Sequence, residues 1–217
     1  MKFFLDTANI DDIKKYAAWG MVDGVTTNPS LIAKEGVSLE KRIKEIAKVV
    51  SGPISAEVIA TNAEEMLREG REYASWAKNV YVKVPCTPDG LEATIKFKKE
   101  KIKTNVTLVF SAGQALMAAK AGATLVSPFV GRLDDIKVDG MGVVSEIITI
   151  YENYGFETEV LVASIRNLEH VKKAALMGAS ISTMPAKILD ELIKHELTDK
   201  GIEKFLADWE SMKTLKH

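Results

Sequence analysis

Lys83 interrupts an apolar run, Asn79-Val-Tyr-Val-Lys-Val-Pro85, that otherwise reads as a buried β-strand. An unpartnered buried ammonium is costly, so such a group tends toward its neutral form. A neutral, desolvated amine is a nucleophile for carbonyl carbons. Strand alternation puts Val80, Val82 and Val84 on one face, and Tyr81 and Lys83 on the other. Pro85 then ends the strand, which leaves the amine near its C-terminal end, where α/β folds keep their active sites. Lys2 and Lys103 sit at strand starts, and most other lysines fall on helical periods. The bland reading is a lysine that snorkels or pairs with a carboxylate.

The same period of two, applied to the neighbouring apolar runs, brings further polar residues into phase. Asp6 shares the phase of Phe4, and Asn28 that of Thr26. Ser55 pairs with Glu57, Asn105 with Thr107, and Ser127 with Phe129, while Ser164 is followed by Arg166. The branched apolar residues mostly take the opposite phase. Two carboxylates can move the protons that carbonyl–amine condensation requires, with Thr107 holding a water. The carboxylates are expected to stand off from Lys83, since an adjacent negative charge favours the ammonium. Arg132, Ser164 and Arg166 follow the sixth and seventh runs, where barrel enzymes often bind phosphate, and paired arginines suit that anion.

Each residue has a plainer alternative. Asp6-Thr7 reads as a turn or helix start, Glu57 as a structural counter-ion for Lys83, and Arg132 and Arg166 as surface residues. Asn105 and Thr107 can serve loop backbone. Cys86 reads as a small buried residue. None of His170, His195 and His217 is assigned to a metal or to acid–base work.

Eight runs must position this set: 3–6, 24–27, 54–59, 80–84, 105–110, 125–129, 160–164 and 181–184. Helical patterns separate them, as crossover helices between parallel strands require. Thr61-Asn-Ala-Glu64 and Ser111-Ala-Gly-Gln114 read as capping boxes, and Thr87-Pro88, Asn28-Pro29 and Asn167 as further helix starts. Gly20, Gly122, Gly155 and Gly178 fit helix ends. The expectation is a single-domain (β/α)8 barrel spanning 1–217, with an open doubly wound sheet as the alternative. No G-x-G-x-x-G follows the first strand, which removes the usual dinucleotide fingerprint. An extra C-terminal helix is expected near 198–213, with Ile202, Phe205, Leu206, Trp209 and Met212 on one face. It either closes a barrel end or packs on a second subunit.

At 217 residues the chain suffices for such a barrel, and its net charge of −1 offers nothing to nucleic acid or an anionic membrane. One cysteine excludes an intrachain disulfide and a cysteine metal cluster. The N-terminus meets a charge at Asp6, too early for a signal peptide, and no apolar run is long enough to span a bilayer. A cytoplasmic protein without metal or cofactor is expected.

The stretches Phe4-Leu-Asp-Thr-Ala8, Gly24-Val-Thr-Thr-Asn-Pro-Ser30, Val82-Lys-Val-Pro85, Asn105-Val-Thr-Leu-Val-Phe110, Val126-Ser-Pro-Phe-Val-Gly-Arg132 and Ala163-Ser-Ile-Arg166 resemble the small transaldolase family, in its order and over nearly the whole chain. The resemblance implies a class I aldolase-type barrel that transfers a dihydroxyacetone unit from fructose 6-phosphate or sedoheptulose 7-phosphate to an aldose phosphate, in the pentose phosphate pathway. Carried over by motif, Lys83 forms a Schiff base. Glu57 acts through a water held by Thr107, and Asp6 takes the proton when the carbon–carbon bond breaks. Asn28, Asn105 and Ser127 hold the dihydroxyacetone hydroxyls, and Arg132, Ser164 and Arg166 the phosphate. The resemblance also implies a homo-pentamer or homo-decamer. The related fructose-6-phosphate aldolases share the lysine but cleave. They carry glutamine, alanine and tyrosine where this chain has Glu57, Ser127 and Phe129, and lysine at the position of Arg166. That aldolase activity, or a non-catalytic sugar-phosphate-binding barrel, is the alternative.

Overall fold

A computed structural model describes residues 1–214, so His217 lies outside the described residues. The eight strands are β1 (Lys2–Asp6), β2 (Gly24–Thr26), β3 (Ile54–Glu57), β4 (Val80–Pro85), β5 (Thr104–Val109), β6 (Leu125–Pro128), β7 (Glu159–Val162) and β8 (Ile181–Met184). They pair in sequence order, all parallel, and β8 returns to β1 to close the barrel. The open-sheet alternative is thereby excluded.

The helices are α1 (Ile10–Ala18), α2 (Pro29–Lys34), α3 (Leu39–Ala47), α4 (Ala63–Trp76), α5 (Pro88–Lys99), α6 (Ala112–Ala121), α7 (Val130–Asp135), α8 (Gly140–Tyr154), α9 (Leu168–Leu176), α10 (Ala186–Leu192) and α11 (Glu196–Thr214). Asn28, Ser111 and Asn167 cap α2, α6 and α9 as the sequence predicts, and Thr87 caps α5 ahead of Pro88. At α4 the capping residue is Asn62, one position later than expected. Asn62 Oδ1 accepts from the Glu65 amide at 3.0 Å, and its Nδ2 donates to Glu65 Oε2 at 2.9 Å. Asparagine caps at least as well as threonine, so it takes the position.

Two apolar clusters follow from the alternation. The large one lies between sheet and helices and includes Val25, Ile54, Val82, Val106, Val126 and Val162. The small one, Phe4, Leu125, Leu161, Ala163 and Ile181, fills the barrel interior from the opposite phase. Gly24 makes room for it, because a Cβ there would sit 2.5 Å from the Phe4 ring. Above this plug the interior side chains are polar.

Helix α11 encloses the expected 198–213 but does not close a barrel end. Ile202, Phe205, Leu206, Trp209 and Met212 are all exposed, Phe205 at 72%. No described helix is long and apolar enough to cross a membrane.

Candidate active site

Strand register sets the centre of the site. Glu57 is the partner of Lys83 across β3 and β4, and Lys83 the partner of Asn105 across β4 and β5. Neighbouring strands run only about 4.7–4.9 Å apart, so interior side chains at matched positions meet. Lys83 is 4% exposed, and its Nζ lies 2.9 Å from Glu57 Oε2. It also donates to the Thr27 carbonyl at 3.2 Å. This corrects the expectation that both carboxylates stand off from the lysine. The register makes Glu57 and Lys83 direct neighbours. Asp6 instead accepts from Thr26 Oγ1 at 2.8 Å.

A second set of contacts lies behind the lysine. Ser127 Oγ donates to Asn105 Oδ1 at 2.7 Å, and Asn105 Nδ2 donates to Ser55 Oγ at 3.0 Å. The chain fixes the Asn105 amide, which is fully buried. Thr107 is equally buried, yet its Oγ1 has no hydrogen-bond partner among the described residues. Such a hydroxyl is costly unless it serves a ligand or water. The next residue, Leu108, has φ 57°, and the β5–β6 register shifts between Val106 and Val109. That bulge is where β5 departs from simple alternation.

The other rim is basic and built on α7 and the loop after β7. Phe129 packs edge-on against Phe110, with ring centroids 5.9 Å apart, and the Arg132 guanidinium lies 5.7 Å from the Phe129 centroid. Ser164 has φ 60°, a left-handed conformation unusual for a residue with a Cβ. Its backbone turns the chain out of the barrel just after β7, which is why β7 ends at Val162 rather than 164. The Gly131 amide donates to the Ser164 carbonyl at 3.1 Å. A Cβ on Gly131 would sit 2.3 Å from that oxygen, so α7 and the loop after β7 meet this closely because residue 131 is glycine. Arg166 Nη2 donates to Asp135 Oδ2 at 2.8 Å.

These elements surround a cavity of about 220 Å3 at the C-terminal strand ends. Lys83, Asp6, Asn28, Ser127, Phe129, Arg132, Ser164 and Arg166 all line it. Glu57, Asn105 and Thr107 stand behind, Glu57 facing an apolar hollow of about 170 Å3 beside α2. Asn28 uses its Oδ1 to cap α2, accepting from the Leu31 amide at 2.9 Å, so its amide nitrogen is the group left for a ligand. Larger hollows of about 630 and 740 Å3 lie elsewhere and hold no comparable set. One cavity thus combines a buried amine at one end, a carboxylate at its side and two guanidiniums at the other. That arrangement suits a carbonyl compound carrying an anionic tail.

Two polar cavity residues were given no role by the sequence reading: Thr26, which it had in phase, and Thr183, which it did not name. Thr26 Oγ1 contacts both Asp6 and Thr183 Oγ1, the latter at 2.6 Å. Both threonines line the cavity and orient the Asp6 carboxylate. Thr26 was in phase, and the same period applied to β8 finds Thr183. Among the described residues, no three His, Cys, Asp or Glu side chains gather as metal ligands. The Cys86 thiol is pushed up by burial, away from the reactive thiolate.

Residues 3–216 match the sequence model of the family described as transaldolase/fructose-6-phosphate aldolase. A protein of Methanococcus maripaludis (strain C7) named "Probable transaldolase" is 60% identical over 211 residues, covering 97% of this chain and 98% of that protein. Proteins of the same name from Aquifex aeolicus and Geobacter sulfurreducens are 57% and 58% identical. Both alignments cover 98% of this chain, with 98% of the Aquifex protein and 99% of the Geobacter protein.

Proposed function

Because this chain belongs to the transaldolase/fructose-6-phosphate aldolase family, we propose that it is a transaldolase working through a Schiff base on Lys83. The observation that carries the reading is the buried Lys83 Nζ, 2.9 Å from Glu57 Oε2 and facing a cavity whose far rim is basic. Glu57 is the nearest base and takes the proton of Lys83 as the ketose arrives. The amine attacks the C2 carbonyl, and the resulting hydroxyl leaves as water once Glu57 returns a proton, relayed by a water on Thr107. Asp6 then removes the proton of the C4 hydroxyl, the C3–C4 bond breaks and the aldose phosphate departs. The three-carbon enamine stays on Lys83, held through Asn28, Asn105 and Ser127. It adds to the aldehyde of an incoming aldose phosphate, and hydrolysis frees Lys83. Arg132, Ser164 and Arg166 hold the phosphate of the donor until it departs with the aldose phosphate, and then that of the acceptor.

Fructose 6-phosphate and sedoheptulose 7-phosphate are the proposed donors, and glyceraldehyde 3-phosphate and erythrose 4-phosphate the acceptors, in the pentose phosphate pathway of the cytoplasm. No cofactor takes part. Product analysis tests transfer. Fructose 6-phosphate with erythrose 4-phosphate yields sedoheptulose 7-phosphate. Free dihydroxyacetone from fructose 6-phosphate alone, at a comparable rate, would assign the chain to the aldolase branch instead.

The direct ion pair supports a second reading, a binding barrel in which Lys83 only neutralises Glu57. A buried pair adds little net stability, which weighs against a purely structural purpose. Covalent trapping of substrate separates the two. The exposed apolar face of α11 supports a homo-pentamer or homo-decamer, and a monomer in sedimentation equilibrium would contradict it.

A further inference from the structure

We propose that His170 is a positioning residue, a buried strut that joins α7, which carries Arg132, to the loop that carries Arg166, and so sets affinity for the phosphorylated end of the substrate. The inference rests on reading that end of the cavity as the phosphate site. His170 is 7% exposed, and both ring nitrogens are engaged. Nδ1 accepts from the Arg166 amide at 3.3 Å, and Nε2 donates to Asp134 Oδ2 at 2.8 Å. Asp134 Oδ1 in turn accepts from the Gly140 amide at 3.3 Å, at the start of α8. One imidazole therefore connects the backbone of Arg166 to α7, the helix that carries Arg132 and Asp135.

The position of the ring explains why histidine is there. His170 is the third residue of α9, and its side chain reaches back to the residue before the Asn167 cap. Helix α6 has the same arrangement with a different side chain. Gln114 is its third residue, and Gln114 Oε1 accepts from the Phe110 amide at 2.8 Å, before the Ser111 cap. A glutamine thus suffices to close a helix start here. Histidine adds a second, opposed nitrogen that reaches across to Asp134. The addition serves the join between α7 and the loop after β7, not α9. Other ties across it are the exposed Arg166–Asp135 pair and the backbone bonds Val130–Ala163 and Gly131–Ser164, so His170–Asp134 is a side-chain link anchored on a buried ring.

His170→Gln separates the two roles, since glutamine keeps the helix start and loses the strut. In the full-length protein we expect KM for fructose 6-phosphate to rise about five- to tenfold, the scale of one hydrogen bond to a charged group, with kcat within about twofold and the thermal midpoint retained. Asp134→Asn reads the same tie from its other end and is expected to raise KM equally. The double variant is expected to be no worse than either single one. Unchanged KM in both single variants, or an equal fall in kcat, would overturn the strut. Arg166→Ala and Arg132→Ala serve as the reference. If they also leave KM unchanged, the phosphate reading is at fault; if they raise it and His170→Gln does not, the strut alone is.

Discussion

Lys83 and Glu57 form a direct ion pair inside the barrel, Nζ to Oε2 at 2.9 Å, between register partners on adjacent strands. In the proposed Schiff-base mechanism this pair holds the proton that the first and last chemical steps exchange, and Glu57 is the group on which the outcome of the reaction turns.

Replacing Glu57 by Gln removes the base but keeps the shape. The transfer rate is expected to fall about 100-fold, the lower range for a lost acid–base group. Adding Phe129→Tyr supplies a phenol beside the cavity, and the ratio of cleavage to transfer is expected to rise. An unchanged ratio, measured as dihydroxyacetone against sedoheptulose 7-phosphate, would dissociate these two residues from the reaction's outcome.

Thr107→Val tests the unpartnered hydroxyl. Valine matches its shape, and losing an unsatisfied buried group does not lower stability. The urea midpoint is expected to hold or rise while kcat falls about tenfold or more. Loss of stability with full activity would make Thr107 a structural residue.

Gly131→Ala forces a Cβ to within 2.3 Å of the Ser164 carbonyl oxygen. Overpacking of this kind costs about 1–3 kcal/mol. The loops should separate, so urea unfolding shifts to lower concentration and KM for fructose 6-phosphate rises. A variant with wild-type stability and KM would show that the close approach has no role in binding.

Cys86 follows β4 directly, but burial raises its thiol away from the thiolate. Reaction with a disulfide reagent at neutral pH is expected to be slower than for free cysteine, quickening as pH rises. Cys86→Ala is expected to keep full activity, and a large loss would place the thiol in the chemistry.

The barrel is legible in the sequence because most strands keep a period of two and most of the helices carry a start signal; α7 and α10 have no side-chain cap. The same period delivers the cavity residues from Asp6 to Phe129. It misplaces Ser164, which shares the outward phase of Val160 and Val162 and reaches the cavity through its left-handed turn. It does not deliver distances, so it leaves open whether Glu57 touches Lys83; that depends on the pairing of β3 with β4. The short α7, inserted after β6 with no side-chain cap, disturbs no apolar pattern and does not stand out. His170 received no role because its partner Asp134 lies on α7 and only the closed barrel brings them together. The turn at Ser164 depends on a positive φ that serine does not advertise.

Covalent trapping tests the central claim most directly. Fructose 6-phosphate and borohydride are added to the protein, and the digested peptides are analysed by mass spectrometry. The account predicts a reduced three-carbon or six-carbon adduct on the peptide containing Lys83, together with loss of activity. Lys83→Arg, whose guanidinium stays charged, is predicted to give neither adduct nor turnover. An untouched Lys83 in active protein, or turnover by the arginine variant, would contradict the Schiff-base mechanism.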